Sequence, residues 1–259
     1  MNNLMDVLPT LKSPLCESLS GKGLTGSVVP RPELTPCDRN RMYELLAIYF
    51  EGTTRDRFES DLEEKEAVVL LRDIRGRIEG FSTYMRIEVP VDGQDIVAFF
   101  SGDTIVARQY WGETILSRLW SQTVFAEAAC IEAERPNAQV YWFLICSGYK
   151  TFRFLPVFFR EFYPHPTPPM PPDVRLILNS LGQRKFGAHY DDATGIVRLP
   201  QATPLRHGVA DITDHRLRDP LVAFFTAMNP RHGEGDELAC LTRICRTNLT
   251  RAGERMVGP

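Results

Sequence analysis

Apolar residues recur every three or four positions in three stretches of the chain, the spacing of a helix with one buried face. The first stretch follows Asp38, whose side chain suits a helix N-cap. The second is short and charged and covers residues 53–64, and the third is long and covers residues 113–134. The pattern predicts two helices near the start of the chain and one long amphipathic helix near its middle.

Runs rich in β-branched and aromatic residues predict five strands. They lie near residues 26–29 and at 67–72, 77–89, 95–107 and 138–146. Turn residues separate the second, third and fourth strands, which favours an antiparallel meander. The long helix lies between the last two strands, and such a crossover favours their parallel pairing. The expected fold class is α+β, with a mixed, mostly antiparallel central sheet flanked by helices.

The two ends of the chain differ from this middle part. Residues 1–25 show no sustained apolar period, so we expect a flexible arm before a core at residues 26–164. Six prolines in residues 163–172 predict a stiff connector. Residues 165–259 comprise this Pro-rich connector and a C-terminal extension, which its apolar residues predict to pack on the core. Within it we expect helices at 173–181 and 219–228, a strand at 237–241 and a mobile end.

The composition narrows the function classes. Lys and Arg number 30 against 33 Asp and Glu among 259 residues, so the net charge of −3 offers no general basic surplus for nucleic acid. No apolar run approaches the roughly 20 residues of a membrane-spanning helix. The five histidines lack metal-ligand spacing, and residues 61–66 are interpreted as a solvated helix face. We expect no nucleic-acid partner, no membrane span and no metal.

The cysteines and the N-terminus bear on the compartment. None of the six cysteines forms a CxxC pair, and the first 15 residues lack the basic start and apolar block of a signal peptide. Both observations favour a reducing, cytoplasmic setting. The even cysteine count leaves secretion open.

The segment between the fourth predicted strand and the long helix is suited to binding an anion. Backbone amides at a helix start have no partner within the helix, and the helix dipole adds to their attraction for phosphate oxygens. Gly112 allows the backbone to approach such an anion closely, although an ordinary turn glycine has the same appearance.

Gln109-Tyr110-Trp111-Gly112-Glu113-Thr114 resembles the Q/R-x-x-G-x-G/A loop of the GNAT-superfamily acyltransferases, with Thr114 in place of the final Gly or Ala. The order of predicted elements over residues 26–160 is similar to that family as well. The resemblance implies a sheet splayed between its fourth and fifth strands. It also implies an acyl-CoA or acyl-carrier phosphopantetheine as co-substrate, bound by the residues of this loop.

The resemblance further implies roles for residues beside the loop. A backbone amide of Ile105 or Val106 would donate to the thioester oxygen as it becomes an oxyanion. Asp103 and Glu79 are candidate bases for the amine proton, and Tyr149 is the candidate acid for the leaving thiolate. A structural role stays open for each residue: Asp103 as a solvent-facing residue at a bulge, Glu79 as an exposed strand residue and Tyr149 as a packing aromatic.

The expected function is transfer of an acyl group from a CoA or acyl-carrier thioester to the amine of a small molecule or peptide, by direct attack. An acyl carrier protein is a possible partner, and the acyl chain length is open. The alternative is a module that binds an acyl thioester or its carrier without turnover. An unrelated α+β scaffold protein is a third hypothesis.

Overall fold

A single nine-stranded sheet organises the computed structural model, which describes residues 18–21 and 23–258. The strands are β1 (Ser18–Gly21), β2 (Leu24–Pro30), β3 (Ala67–Asp73), β4 (Ile78–Val91), β5 (Gln94–Val106), β6 (Ala138–Cys146), β7 (Tyr190–Asp191), β8 (Ile196–Val197) and β9 (Glu237–Arg243). Their order across the sheet is β1-β2-β3-β4-β5-β6-β9-β8-β7. Every neighbouring pair is antiparallel except β5 and β6, which are parallel.

Eight α-helices of the described chain cover the two faces of this sheet. They are α1 (Pro36–Tyr49), α2 (Arg55–Glu63), α3 (Ile115–Glu134), α4 (Tyr149–Phe152), α5 (Phe154–Phe158), α6 (Pro172–Phe186), α7 (Pro220–Met228) and α8 (Arg251–Val257). Helices α3, α4, α5, α7 and α8 contribute to one buried cluster, and we call their side the α3 face. Helices α1, α2 and α6 pack on the opposite side, the α6 face. The predicted fold class, α+β with a mostly antiparallel sheet flanked by helices, is confirmed.

The N-cap of the first helix lies three residues before the predicted cap. Thr35 is the N-cap, and its hydroxyl accepts a hydrogen bond from the Asp38 amide at 3.1 Å. The Asp38 carboxylate accepts in return from the Thr35 amide at 3.2 Å. The prediction of Asp38 as N-cap is therefore wrong, because Asp38 is the fourth residue of a reciprocal capping box. Helix α2 lies within the predicted residues 53–64, and Thr54 is its N-cap.

The C-terminal part of the chain continues the sheet. Strand β9 pairs with β6 over Tyr141↔Arg243 to Cys146↔Leu238, and β8 and β7 follow at the edge. Helix α6 contacts β4 and β9, while α8 contacts α3 and α5. The prediction of a mobile end is wrong, because Gly253 of α8 lies so close to α5 that a Cβ there would be 2.3 Å from the Phe158 carbonyl oxygen.

The structure also differs from the prediction of a flexible arm at residues 1–25, in the part of the arm that is described. Residues 18–21 form β1, and β2 begins at Leu24, so this part of the arm is the outer edge of the sheet. Residues 1–17 and residue 22 lie outside the described part. Among the described residues, no helix has the length and apolar character to cross a bilayer.

The pairing of β9 with β6 predicts that the extension unfolds together with the rest of the sheet. Leu241 of β9 is fully buried, so Leu241→Ala should lower the free energy of unfolding by about 2–5 kcal/mol. The control is Ile74→Ala, at a side chain that is 87% exposed, where a change within about 0.5 kcal/mol is expected. Urea titration followed by circular dichroism and by tryptophan fluorescence measures both. Two separate transitions, with Leu241→Ala moving only one, would contradict a single unit.

Candidate functional site

Strands β5 and β6 separate part of the way along their length. Their parallel register runs from Asp95↔Ala138 to Ser101↔Leu144 and ends there. Beyond Ser101, β5 continues to Val106 in register with β4 alone, while β6 keeps β9 as its partner up to Cys146. Since β1 precedes the five predicted strands, β5 and β6 are the fourth and fifth strands of the sequence prediction. The predicted splay between them is confirmed.

A bulge in β5 marks the point of separation. Ser82↔Thr104 and Tyr84↔Ser101 are paired, so Gly102 and Asp103 together face the single residue Thr83 of β4. A bulge of this kind bends the strand and changes where its side chains point. Gly102 is required by space, because a Cβ there would lie 2.9 Å from both Lys65 Cε and Thr83 Oγ1. The missing side chain leaves room for Lys65 beneath the bulge.

A cavity of about 240 Å³ passes through the sheet at the splay. Its two halves differ in charge. The half on the α6 face, here the charged half, contains all five ionisable side chains that line the cavity: Arg57, Asp61, Asp103, Lys185 and Glu237. The half on the α3 face, here the uncharged half, is lined by Leu116, Ser117, Trp120, Ser121, Phe125, Trp142, Thr151, Phe154, Phe158, Phe159, Leu249, Gly253, Met256 and Val257. The splay therefore joins an uncharged space to one in which charged side chains lie among apolar ones such as Phe58, Phe100 and Phe186.

Ion pairs and hydrogen bonds hold the side chains of the charged half. Asp61 forms an ion pair with the buried Lys65 at 2.7 Å, and Lys185 pairs with Glu64. Ser147, at the end of β6, donates a hydrogen bond to Glu237. The interpretation of residues 61–66 as a solvated helix face is wrong for Lys65, which is buried, and for Asp61, which lines the cavity.

Two carboxyl groups in this half hold protons unusually tightly. Burial raises the pKa of Asp103 to about 6, with the Asp61 carboxylate adding to the effect. Burial also raises the pKa of Glu237 to about 7, against the hydrogen bond from Ser147 and with the help of the Asp103 charge. Because these carboxyl groups influence one another, their titration belongs to the group as a whole. Both are poised to exchange protons near neutral pH.

The loop between β5 and α3 is open at Gly112. This residue has φ +95°, and a Cβ added there would meet no atom within 4 Å. The side chain of Thr114, the N-cap of α3, makes no capping hydrogen bond, so the first-turn amides are not covered by it. Trp111 folds back and donates from Nε1 to the Val106 carbonyl at 2.8 Å. Gln109 donates to Glu79 at 3.2 Å.

Cationic side chains surround Trp111 beside this loop. Lys150 Nζ lies 3.9 Å and Arg108 Cζ 5.0 Å from the centroid of the Trp111 rings. Burial, with the nearby charges of Arg216 and Arg108, lowers the pKa of Lys150. Both cations also donate to carbonyl oxygens of residues 201–211, which we call the strap: Arg108 to Gly208 and Lys150 to Val209.

The strap crosses the end of α1 on the α6 face. The Arg206 amide donates to the Tyr49 carbonyl at 2.8 Å, and Leu205 forms a β-bridge with Phe50. At its start, the Gln201 carbonyl accepts from Arg57 of the charged half. The strap thus runs from the charged half of the cavity to the cations beside the loop.

The structure brings only part of the predicted site together. Asp103 lines the cavity, whereas Glu79 and Tyr149 do not. Glu79 is 4% exposed and lies among Gln109, Arg41 and Arg77, with both arginine nitrogens at 3.6 Å. Tyr149 is 3% exposed within the core of the α3 face.

Ile105 and Val106, whose backbone amides are predicted to meet the thioester, pair with a neighbouring strand on one side. Ile105 is in register with Phe81 and Val106 with Gly80, both on β4. The opposite edge of β5 at these residues has no strand partner in the described chain.

Sequence reasoning missed Glu237 and Ser147. Glu237 starts an apolar strand, and a carboxylate there is a weak signal because strand ends are commonly solvated. Its significance depends on β9 lying beside β6, which brings it to Ser147 across 90 positions of sequence.

No model of a known protein family and no curated protein matches the chain. Partial likenesses to solved structures exist. A conserved protein of Enterococcus faecalis V583, described as a probable N-acyltransferase, is 17% identical with a TM-score of 0.39 over 53% of this chain and 33% of that protein. A GNAT-family N-acetyltransferase of Escherichia coli in complex with CoA is 18% identical, with a TM-score of 0.33 over 52% and 71%. N-myristoyltransferase of Saccharomyces cerevisiae with bound myristoyl-CoA is 8% identical, with a TM-score of 0.37 over 50% and 30%. The matched part of this chain thus spans about a third of the length of the Enterococcus faecalis protein and of the N-myristoyltransferase.

Proposed function

We propose that this protein is a GNAT-like N-acyltransferase that moves an acyl group from a CoA or acyl-carrier phosphopantetheine thioester to an amine. The observation that carries the proposal is the cavity at the splay. It joins an uncharged half to a charged half that holds two carboxyl groups with raised pKa values. An acyl thioester and an amine require these two different surroundings on either side of one reaction point.

The phosphates of the donor would bind at the loop before α3. Gly112 leaves open space, and the first-turn amides of α3 carry the positive end of the helix dipole. Arg108 and Lys150 add positive charge nearby, and their hydrogen bonds to the strap would exchange for bonds to phosphate. Ser117 and Ser121 of α3 line the cavity one and two turns further on, so the donor would run from this loop towards the splay.

The thioester carbonyl would lie at the splayed edge of β5. The nucleophilic nitrogen attacks the carbonyl carbon, the C–S bond breaks, and the carbonyl oxygen carries negative charge in the intermediate. Backbone amides on an edge without a strand partner can donate to that oxygen, and fixed donors of this kind account for large rate effects. By the resemblance to the GNAT loop, Ile105 or Val106 supplies this amide.

Asp103 and Glu237 are the bases that the geometry favours. Attack by a neutral amine transfers one proton from nitrogen to a carboxylate, and the same proton can pass to the departing thiolate, so the thiol and the amide are the only products. An acceptor bound as an ammonium loses one further proton to solvent. Glu79 and Tyr149 are left out of this proposal because neither lines the cavity.

The phosphate assignment predicts a charge effect at Gly112. Gly112→Glu should raise the Kd for CoA by about tenfold or more, because the added carboxylate repels the donor phosphates. Gly112→Ala is the matched control, since it imposes the same strain at positive φ without the charge. Calorimetric titration with CoA measures both, with thermal unfolding as a check of folding. Equal affinity of the two variants would exclude the loop as the phosphate site.

The raised pKa values predict the pH dependence of the reaction. A base must be ionised to accept a proton, so kcat/KM should fall as the pH is lowered through about 7 to 6. Asp103→Asn should reduce the rate by roughly 10²–10⁴-fold if Asp103 is the principal base. It should also move the remaining acidic limb to lower pH, because loss of the Asp103 charge eases ionisation of Glu237.

The assay would use a panel of primary amines with an acyl-CoA, and the released thiol would be measured. Glu237→Gln tests the second carboxylate in the same way. Tyr149→Phe is the control and should keep the wild-type profile. An unchanged profile in both carboxylate variants would exclude them as bases, whereas loss of activity in Tyr149→Phe would restore the role predicted for that residue.

A further inference from the structure

The uncharged half of the cavity bears on the acyl group of the donor. Its walls come from five elements, α3, β6, α4, α5 and α8, and from residues between them. Trp120 and Trp142 pack with their ring centroids 4.7 Å apart, and Phe159 lies 5.8 Å from Trp142. Trp142 Nε1 is satisfied by Ser101 Oγ at 2.8 Å, so the Trp142 ring presents a mainly apolar surface. The exceptions are Trp120 Nε1, which is buried without a hydrogen-bond partner, and the hydroxyl groups of Ser117, Ser121 and Thr151. The remaining side chains of this half are apolar and suited to hydrocarbon.

The size of the cavity exceeds what an acetyl group needs. Protein interiors are close-packed, and an unfilled space among large apolar side chains reduces stability. A dry apolar cavity of roughly 150 Å³ accommodates a benzene molecule. The cavity at the splay has a volume of about 240 Å³ in total, and an acetyl group extends only one carbon beyond the carbonyl.

One wall of the uncharged half is held in place by contacts between α8 and α5. Met256 and Val257 of α8 line it, and α8 is held against α5 by the close approach at Gly253. Thr250, the N-cap of α8, bonds to α5 through its amide, which donates to the Phe158 carbonyl at 3.0 Å, and through its hydroxyl, which donates to the Val157 carbonyl at 2.6 Å. A wall held in place in this way limits the length of a hydrocarbon chain that the uncharged half can accept.

The amine acceptor would bind in the charged half of the cavity, and the acyl group of the donor would then occupy the uncharged half. Every ionisable side chain that lines the cavity is on the α6 face, so an amine has its polar partners there. The phosphate loop leads into α3, whose first three turns line the uncharged half. We propose, on the basis of the function proposed above, that the donor carries a medium- or long-chain acyl group whose hydrocarbon chain lies between α3, α5 and α8.

Binding of an acyl-CoA series tests this without knowledge of the amine. The probes are CoA and its acetyl, hexanoyl, octanoyl and dodecanoyl thioesters, titrated by calorimetry and by tryptophan fluorescence. Affinity should rise by up to about fourfold for each methylene buried, until the chain reaches α8. Fluorescence should change with the longer chains, because Trp120 and Trp142 line the space they would enter.

Two substitutions should change the preferred length in opposite directions. Ser121→Leu fills part of the uncharged half, so it should reduce the preference for octanoyl-CoA over CoA by about tenfold or more. Met256→Ala removes part of the wall that α8 supplies and should move the optimum to a longer chain. Ala129→Leu, at an exposed position of the same helix, is the control and should change nothing. Thermal unfolding confirms that each variant is folded.

The outcomes separate this inference from the proposed function. If acetyl-CoA binds as tightly as octanoyl-CoA, the inference is wrong and the acyltransferase proposal stands. If octanoyl-CoA binds more tightly but Ser121→Leu has no effect, the chain lies elsewhere and the inference is wrong as well. If neither CoA nor any thioester binds, the inference is wrong and CoA is excluded as the donor, which leaves the acyl-carrier form of the proposed function.

Discussion

The end of the parallel pairing between β5 and β6 is the constraint on which the site depends. Each strand keeps its outer partner, β4 or β9, while the two diverge after Ser101↔Leu144. The sheet therefore stays intact around an opening that no backbone fills. Polar groups at its rim need other partners, and Trp142 with Ser101 and Ser147 with Glu237 provide two of them.

The buried charges around this opening have opposite charges close to them. Lys65 has a fully buried side chain beneath the β5 bulge, where it pairs with Asp61 and counteracts the rise in the pKa of Asp103. Burying such groups costs stability unless opposite charges lie within reach. Gly102 makes the arrangement possible because any larger residue would collide with Lys65 and Thr83. Gly102 weakens the strand, but the absence of a side chain there makes room for the Lys65 cation.

The C-terminal part of the chain completes the site and does not merely cover it. It supplies Glu237 from β9, Lys185 from α6, the cavity-lining residues of α8 and the strap over the loop cations. The core that the sequence predicted at residues 26–164 contains the splay, the bulge, the loop and most of the cavity lining, but not these groups. The chemical character of the site comes from contacts between residues separated by up to about a hundred and forty positions, as for Arg57 and Gln201.

Local pattern was enough to predict helices α1, α2, α3, α6 and α7, the central strands, the parallel crossover around α3 and the loop at Gln109–Thr114, because periodicity and turn residues act over a few positions. It did not predict α4, α5 or α8. The same pattern placed Asp103 in an apolar strand, where a carboxylate draws attention. It did not distinguish Asp103 from Glu79, since burial and partners depend on neighbouring strands. The pairing of Glu237 with Ser147, the burial of Lys65 and the place of α8 in the cavity wall were decided only by the tertiary structure. Each depends on which strand lies beside which, and strand order is a long-range property that short-range sequence pattern does not encode.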